Sequence, residues 1–294
     1  MHPLELLNEA ELGSLARVAD RLLTNRHLLA PGQRSNRLRP GSGIEFMDHR
    51  EYSPGDDIRA LDWRASARSR HPQLRRYCDE AASDWFILLD CSSSMAFQHS
   101  GKWNLAVQCA AAMAYLLIHL GNRVSLLVFS DKVERVVPLG RGQTHYAGIL
   151  QSLRQAVAAD SGAGSGLRCC VAKIKRNSPI FVISDFLAAD GMQDGLDALS
   201  MRGDKLHSLQ ILADQDYRLP AQQTARFRDV ESGETLTVDT SATQRRDYLQ
   251  ACENFNNRFA QYCRRKHIHF SRHGAAEPWK SVLLDHLQAG GRAP

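Results

Sequence analysis

The chain has 294 residues and a mass of 32.8 kDa, with 43% hydrophobic residues, 23% charged residues and a formal net charge of +5. These proportions exclude a disordered tail, a collagen-like fibre and a low-complexity linker, and leave room for one large or two small domains. The most apolar stretch, Ala106 to Leu120, contains Gln108 and His119 and is too short to cross a bilayer, so no membrane span is expected.

No basic leader followed by an apolar run opens the chain, so no secretory signal is expected either. The seven cysteines form no C-x-x-C pair. That argues against a disulfide framework or a zinc knuckle, and the expectation is a cytoplasmic protein with reduced thiols. Arginines crowd the span from Arg34 to Arg76, but Glu45, Asp48, Glu51, Asp56, Asp57 and Asp62 are interleaved with them. Mixed signs suit a salt-bridged surface better than a nucleic-acid patch, which is single-signed.

Leu4 to Leu29 carries leucine and valine at helical spacing until Pro31-Gly32 breaks it. Residues 31–44 read as a loop or extended arm. Gly41 to Arg76 is too polar for a core of its own and is expected to be held by hydrogen bonds. Beyond Asp84 the pattern alternates between strand and helix. Trp85–Leu89 is a continuous apolar run ending in Asp90, which suits a strand buried on both faces. A helix over Lys102–Leu120 follows, closed by Gly121. Arg123–Phe129 is the next strand. Ser130-Asp131-Lys132 leaves room only for a tight turn, so Val133–Pro138 should return antiparallel at an edge.

A helix over Tyr146–Val157, a flexible loop over Gly162–Gly166 and a short helix near Cys169–Lys175 come next. Pro179–Asp185 repeats the signature of an apolar strand ending in Asp. After it the pattern predicts a helix over Met192–Met201 and a strand over Lys205–Ala213. A hairpin spans Phe227–Val230 and Thr235–Val238. A long helix over Arg245–Lys266, a strand over His267–Arg272 and a helix over Trp279–Gln288 complete the chain. The fold class expected is α/β: a doubly wound, mostly parallel sheet with helices on both faces and one antiparallel edge strand. Such sheets bind ligands beyond the carboxyl ends of their strands.

Two strands end there in a carboxylate, Asp90 and Asp185. Asp90 opens the sequence Asp90-Cys91-Ser92-Ser93-Ser94, a D-x-S-x-S loop in which Asp90, Ser92 and Ser94 can converge. Carboxylate and hydroxyl oxygens are hard donors, suited to Mg²⁺ or Mn²⁺ rather than zinc. A helix N-cap from Ser92 or Ser94 is the plainer use of the same residues. The loop resembles the metal-ion-dependent adhesion site of the von Willebrand factor A fold. That resemblance implies Asp90, Ser92, Ser94 and Asp185 as ligands, with Thr144 as the hydroxyl from a later loop.

Upstream, Gly41–Phe46, the run Arg50-Glu51-Tyr52-Ser53-Pro54-Gly55-Asp56-Asp57-Ile58-Arg59-Ala60-Leu61-Asp62-Trp63 and Ser66-Ala67-Arg68 resemble the signature of the family called domain of unknown function 58. Phe227–Glu234 resembles its later hairpin. The division this implies is a helix and signature extension over residues 1–80, then a von Willebrand factor A-like domain over 81–290 with a hairpin insertion near 225–240. The signature residues Glu45, Arg50, Asp56, Asp57, Arg59, Asp62, Trp63 and Arg68 are expected to form buried Arg–carboxylate pairs. In one alternative, Asp56 or Asp57 approaches the metal as an internal stand-in for a partner's carboxylate.

The resemblance implies a non-enzymatic adaptor or co-chaperone working with a MoxR-type AAA+ ATPase and a protein client, with no small-molecule substrate. Two other readings stay open. One is a Mg²⁺-dependent phosphoryl hydrolase, for which no nucleophile or base beside the metal can be named. The other is a nucleic-acid adaptor using the arginine-rich arm. Cys91 reads as a small buried filler. His267, His269 and His273 lie near the last strand, where alternation puts His267 and His269 on one face, most simply as a half-exposed strand surface.

Overall fold

The structure, a computed structural model, describes residues 3–25, 39–41, 45–53, 56–69, 71–79, 83–96, 100–157, 164–187, 191–217, 224–228, 235–239 and 241–289. The chain divides into two compact units, one of Met1–Ala30 with Ser83–Pro294 and one of Pro31–Ala82. The first helix therefore groups with the sheet body, whereas the sequence division placed it with the signature extension.

In chain order the elements are α1 (Glu9–Asn25), β1 (Arg39–Gly41), β2 (Glu45–Glu51), α2 (Trp63–Ser69), β3 (Gln73–Asp79), β4 (Asp84–Asp90), α3 (Ser93–Ala96), α4 (Lys102–His119), β5 (Arg123–Phe129), β6 (Val133–Gly140), α5 (Gln143–Gln155) and α6 (Gly164–Cys170). They continue with β7 (Ile180–Ser184), α7 (Met192–Arg202), β8 (Leu206–Leu212), β9 (Thr224–Arg228), β10 (Thr235–Asp239), α8 (Ala242–Arg265), β11 (His269–Gly274) and α9 (Trp279–Ala289). Of the helix expected over Leu4–Leu29, Pro3–Leu6 is a 3-10 turn and residues 26–29 lie outside the described residues.

Among the described residues, the larger unit holds a six-stranded sheet in the order β11-β8-β7-β4-β5-β6. Every pairing is parallel except β5 with β6, the antiparallel edge that the three-residue turn required. The hairpin β9–β10 forms a separate two-stranded sheet, with Thr235 opposite Arg228. Its signature turn, residues 229–234, lies outside the described residues.

Strand alternation divides the core. Trp85, Ile87 and Leu89 of β4 join a cluster with Leu15 of α1, Leu117 of α4, Leu153 of α5 and Leu283 of α9. Phe86 and Leu88 point the other way, into a cluster with Leu167 of α6, Leu196 of α7 and Phe259 of α8. A continuous apolar strand is what two covered faces demand, because both sets of side chains leave water. Helix α4 is apolar nearly all round for the same reason, and Gly121 ends it at φ 78°, a left-handed conformation open to glycine.

The smaller unit is built around an antiparallel three-stranded sheet in the order β1-β3-β2. Arg39–Gly41 is thus strand where the sequence reads as loop or arm, the rest of 31–44 lying outside the described residues, and strand pairing is part of the hydrogen bonding expected of Gly41–Arg76. With so few apolar residues the periodicity carries no strand signal, yet backbone pairing needs none.

Candidate functional site

Strand β4 sits at the centre of the sheet. From it the chain crosses to β5 on one side and later returns to β7 on the other. Loops leaving β4 and β7 thus diverge at a switch point, where a crevice opens at the carboxyl ends. Leu89 is paired with Ile183, so Asp90 and Ser184 leave the sheet side by side. The Ser184 hydroxyl donates to Asp90 Oδ2 at 2.6 Å, and the Ser92 amide donates to Asp90 Oδ1 at 2.8 Å. The Ser92 and Ser94 hydroxyls lie 3.2 Å apart. Cys91 is fully buried.

On the neighbouring strand the Leu187 amide donates to Asp185 Oδ1 at 3.2 Å, and Gln210 Nε2 donates to the Asp185 carbonyl at 2.9 Å. Phe186 takes φ 53°, unusual for a residue with a bulky side chain, and its ring stacks on Phe259 with centroids 4.9 Å apart. Packing fixes this kink, and the kink aims Asp185.

Lys102, which sequence reasoning missed, enters the same place from the first turn of α4. Its ammonium is 2.9 Å from Asp185 Oδ2 and 3.2 Å from Asp216 Oδ1, and only 1% of its side chain is exposed. A cation at a helix N-terminus opposes the helix dipole, so it persists there only with carboxylates facing it. That was the available signal: a lysine opening an otherwise apolar helix. Gly101 before it adopts φ 74°, and a Cβ there would lie 3.3 Å from the Ala275 carbonyl, so glycine sets the angle at which the lysine enters. Burial works against the ammonium, but Asp185 and Asp216 outweigh it and hold Lys102 above its ordinary pKa.

Asp90 shows the opposite imbalance. Complete burial and then the Asp185 charge push its carboxyl well above the usual carboxylate range, against the hydrogen bonds from Ser184 and Ser92. Ionised, Asp90, Asp185 and Asp216 carry three negative charges against the one positive charge of Lys102. The cluster has hard oxygen donors and, once Asp90 is ionised, more carboxylates than cations. Mg²⁺ or Mn²⁺ matches both.

Asp90, Ser92, Ser94 and Asp185 are thus brought together, but Thr144 is not. Strand β6 runs back, so Gly140 pairs with Val124 while Val133 pairs with Phe129, the partner of Asp90. His145 donates from Nε2 to the Val124 carbonyl at 2.8 Å, which fixes its neighbour Thr144 at the amino end of β5. Five residues of strand, about 17 Å, separate that end from Phe129. The chain returns to the Asp90 end only through α5.

At that end α6 begins at Gly164, inside the span read as a flexible loop, and residues 158–163 lie outside the described residues. A Cβ on Gly166 would fall 1.8 Å from the carbonyl of Ser130, just past β5, so the α6 backbone comes to the strand exit.

In the smaller unit the signature charges pair with one another. Arg50 Nη2 meets Asp56 Oδ1 at 2.6 Å, and the Ser53 amide donates to Asp56 Oδ2 at 2.8 Å. Asp62 caps α2, accepting the Arg64 and Ala65 amides at 3.0 and 3.1 Å, and also faces Arg75 at 2.9 Å and His49 at 3.0 Å. These pairs are partly exposed, with Arg50 at 41% and Arg75 at 44%, which corrects the expectation of buried pairs. Asp57, Arg68 and Trp63 are exposed, Trp63 at 75%. The side chains of Glu45 and Arg59 lie outside the described residues.

Comparison with known proteins gives a family without an assigned activity. The family described as "Protein of unknown function DUF58" matches residues 48–258. An uncharacterized protein of Mycobacterium tuberculosis is 29% identical over 220 residues, covering 73% of this chain and 69% of that one. Uncharacterized protein YeaD of Bacillus subtilis is 28% identical over 104 residues, 35% of this chain and 24% of its own.

Among solved structures, the conserved hypothetical protein BatB from Bacteroides thetaiotaomicron aligns over 72% of this chain and 100% of its own, with 13% identity and a TM-score of 0.44. An aerotolerance-related membrane protein from Bacteroides fragilis aligns over 72% and 100%, with 14% identity and a TM-score of 0.42. No helix among the described residues of this chain is long and apolar enough to cross a membrane. The match spans most of the chain, including the D-x-S-x-S loop, Asp185 and part of the signature, and this protein belongs to the DUF58 family.

Proposed function

We propose that the sheet unit is a von Willebrand factor A-like module that binds a partner protein through a divalent cation held at the carboxyl end of β4. The observation that carries this reading is the gathering of Asp90, Ser92, Ser94 and Asp185 at the carboxyl ends of β4 and β7, an oxygen-rich cluster with Asp90 and Asp185 buried. The strand order, with one antiparallel edge and the D-x-S-x-S loop at the switch point, supports the same reading. Ser92 and Ser94 would offer neutral hydroxyls and Asp90 and Asp185 carboxylates. Mg²⁺ or Mn²⁺ so held supplies an electrophilic position that a carboxylate of the partner can fill. Family membership makes a MoxR-type AAA+ ATPase the partner to test, with a protein client as its cargo.

Lys102 favours a second reading, in which the ammonium serves as the cluster's own cation and recognition needs no metal. The two separate in a single experiment. Calorimetric titration with Mg²⁺ and capture of the ATPase, each with and without chelator, are run on the wild type, Asp90→Asn and Thr144→Ala. The metal reading expects Mg²⁺-dependent capture, lost in Asp90→Asn and unchanged in Thr144→Ala, whose site is at the far end of the sheet. Capture that survives both chelator and Asp90→Asn supports the metal-free reading instead.

A further inference from the structure

A second group of potential ligands lies on the other part of the sheet, on chemistry unlike that of the Asp90 cluster. His207 of β8 and His269 of β11 are register partners, so their rings stand side by side on one face. His286 of α9 packs over them. Ring centroids are 4.8 Å apart for His207 and His269, 4.3 Å for His269 and His286, and 5.5 Å for His207 and His286. One ring nitrogen of each lies within 4.8 Å of one on each of the others. The walls are apolar: the Phe181 ring is 5.2 Å from His286 and the Trp85 ring 5.5 Å from His207.

The outer nitrogens of this group are held in a particular way. The Ser271 hydroxyl, two residues along β11 on the same face, lies 2.6 Å from His286 Nδ1. His269 donates from Nε2 to the His286 carbonyl at 2.6 Å, so its Nδ1 keeps the lone pair. His286 Nε2 and His207 Nδ1 face each other at 3.3 Å. Two nitrogens bound to one tetrahedral Zn²⁺ at about 2.0–2.1 Å stand about 3.3 Å apart. Orientation of imidazoles by neutral oxygen partners on their far side is the arrangement that metal-binding histidines use.

We propose that His207, His269 and His286 form a three-imidazole site for a late first-row divalent cation, Zn²⁺ above all, with a fourth position left to water or a carboxylate. His269 is the partly exposed member of the group. His207 and His286 are buried, and the nitrogens they turn toward each other share one hydrogen bond, so metal binding would displace the proton between them. The site shares no residue with the Asp90 cluster and does not depend on its reading. His267, paired with His269 by alternation in the sequence, precedes β11 at φ 55° and is not part of it.

The test uses the full chain, stripped with chelator and titrated with Zn²⁺ by calorimetry in excess Mg²⁺. Expected is one Zn²⁺ bound with affinity weakened at least tenfold in His269→Gln and tenfold or more in Ser271→Ala, and unaltered in Asp90→Asn. Co²⁺ loading of the wild type gives a readout free of any folding defect in the variants. Intense visible bands from nitrogen-ligated, low-coordinate cobalt are expected. A weak octahedral spectrum, no uptake of Zn²⁺ by the wild type, or full affinity in a folded His269→Gln would each overturn the proposal.

Discussion

Lys102 shows how one side chain can decide the character of a site. It pairs with both Asp185 and Asp216 from a buried position, and removing it leaves the buried Asp185 without that cation. Loss of one partner of such a group costs about 3–5 kcal/mol, because the remaining charge has neither water nor counterion. Lys102→Met is therefore expected to be less stable by about that amount in urea unfolding with chelator present. Saturating Mg²⁺ should restore a larger share of stability in this variant than it adds to the wild type, since the variant has lost its internal cation. Equal stability of the two proteins in chelator would mean that the carboxylates are protonated or solvated and that the ion pair contributes little.

Two elements carry predictions of their own. Helix α6 approaches the exit of β5 so closely that only glycine fits at position 166, where a Cβ would meet the Ser130 carbonyl at 1.8 Å. The obstacle is backbone on both sides, so neither can turn away. Gly166→Ala should cost about 1–3 kcal/mol as α6 is forced outward. Because that end of α6 borders the Asp90 site, Mg²⁺ affinity should fall with stability, and calorimetry on the folded fraction reads both.

Helix α2 depends on Asp62. Hydrogen bonds from Arg75 and His49, and then from the Ala65 amide, hold its carboxyl well below its ordinary value. A group whose pKa is depressed by folding contributes stability above its unfolded value, near 3.9, and loses it as pH falls toward the folded one. Asp62→Asn keeps the capping oxygen but not the charge. Its melting temperature should lie below that of the wild type at pH 6, and the gap should close as pH falls below about 4. A gap that persists unchanged at pH 3 would place the effect in the cap geometry instead.

At the scale of the molecule, the chain's own pattern was sufficient wherever burial on both faces left a continuous apolar run. β4, β5, β7 and β8 fall within a residue or two of their expected bounds, and the edge position of β6 followed from a turn too short for a crossover. The pairing of Asp90 with Asp185 was legible for the same reason, since two strands of one parallel sheet ending in Asp must present both at one end. Three features were not legible. The placement of Thr144 fails because an antiparallel edge strand delivers the chain to the opposite end of the sheet, and residue order alone does not show which end a loop occupies. The sheet of the smaller unit is held by backbone hydrogen bonds that no side-chain period reports. Lys102 meets Asp216 across 114 residues of sequence, and, separately, His207 meets His286 across 79, by strand register and helix packing. The sequence thus determined the apolar strands, their order of appearance and the oxygen chemistry beside Asp90, because local pattern and burial express themselves residue by residue. Tertiary structure alone decided which charge answers that chemistry and where imidazoles meet, because ligand geometry depends on contacts between segments distant in the chain.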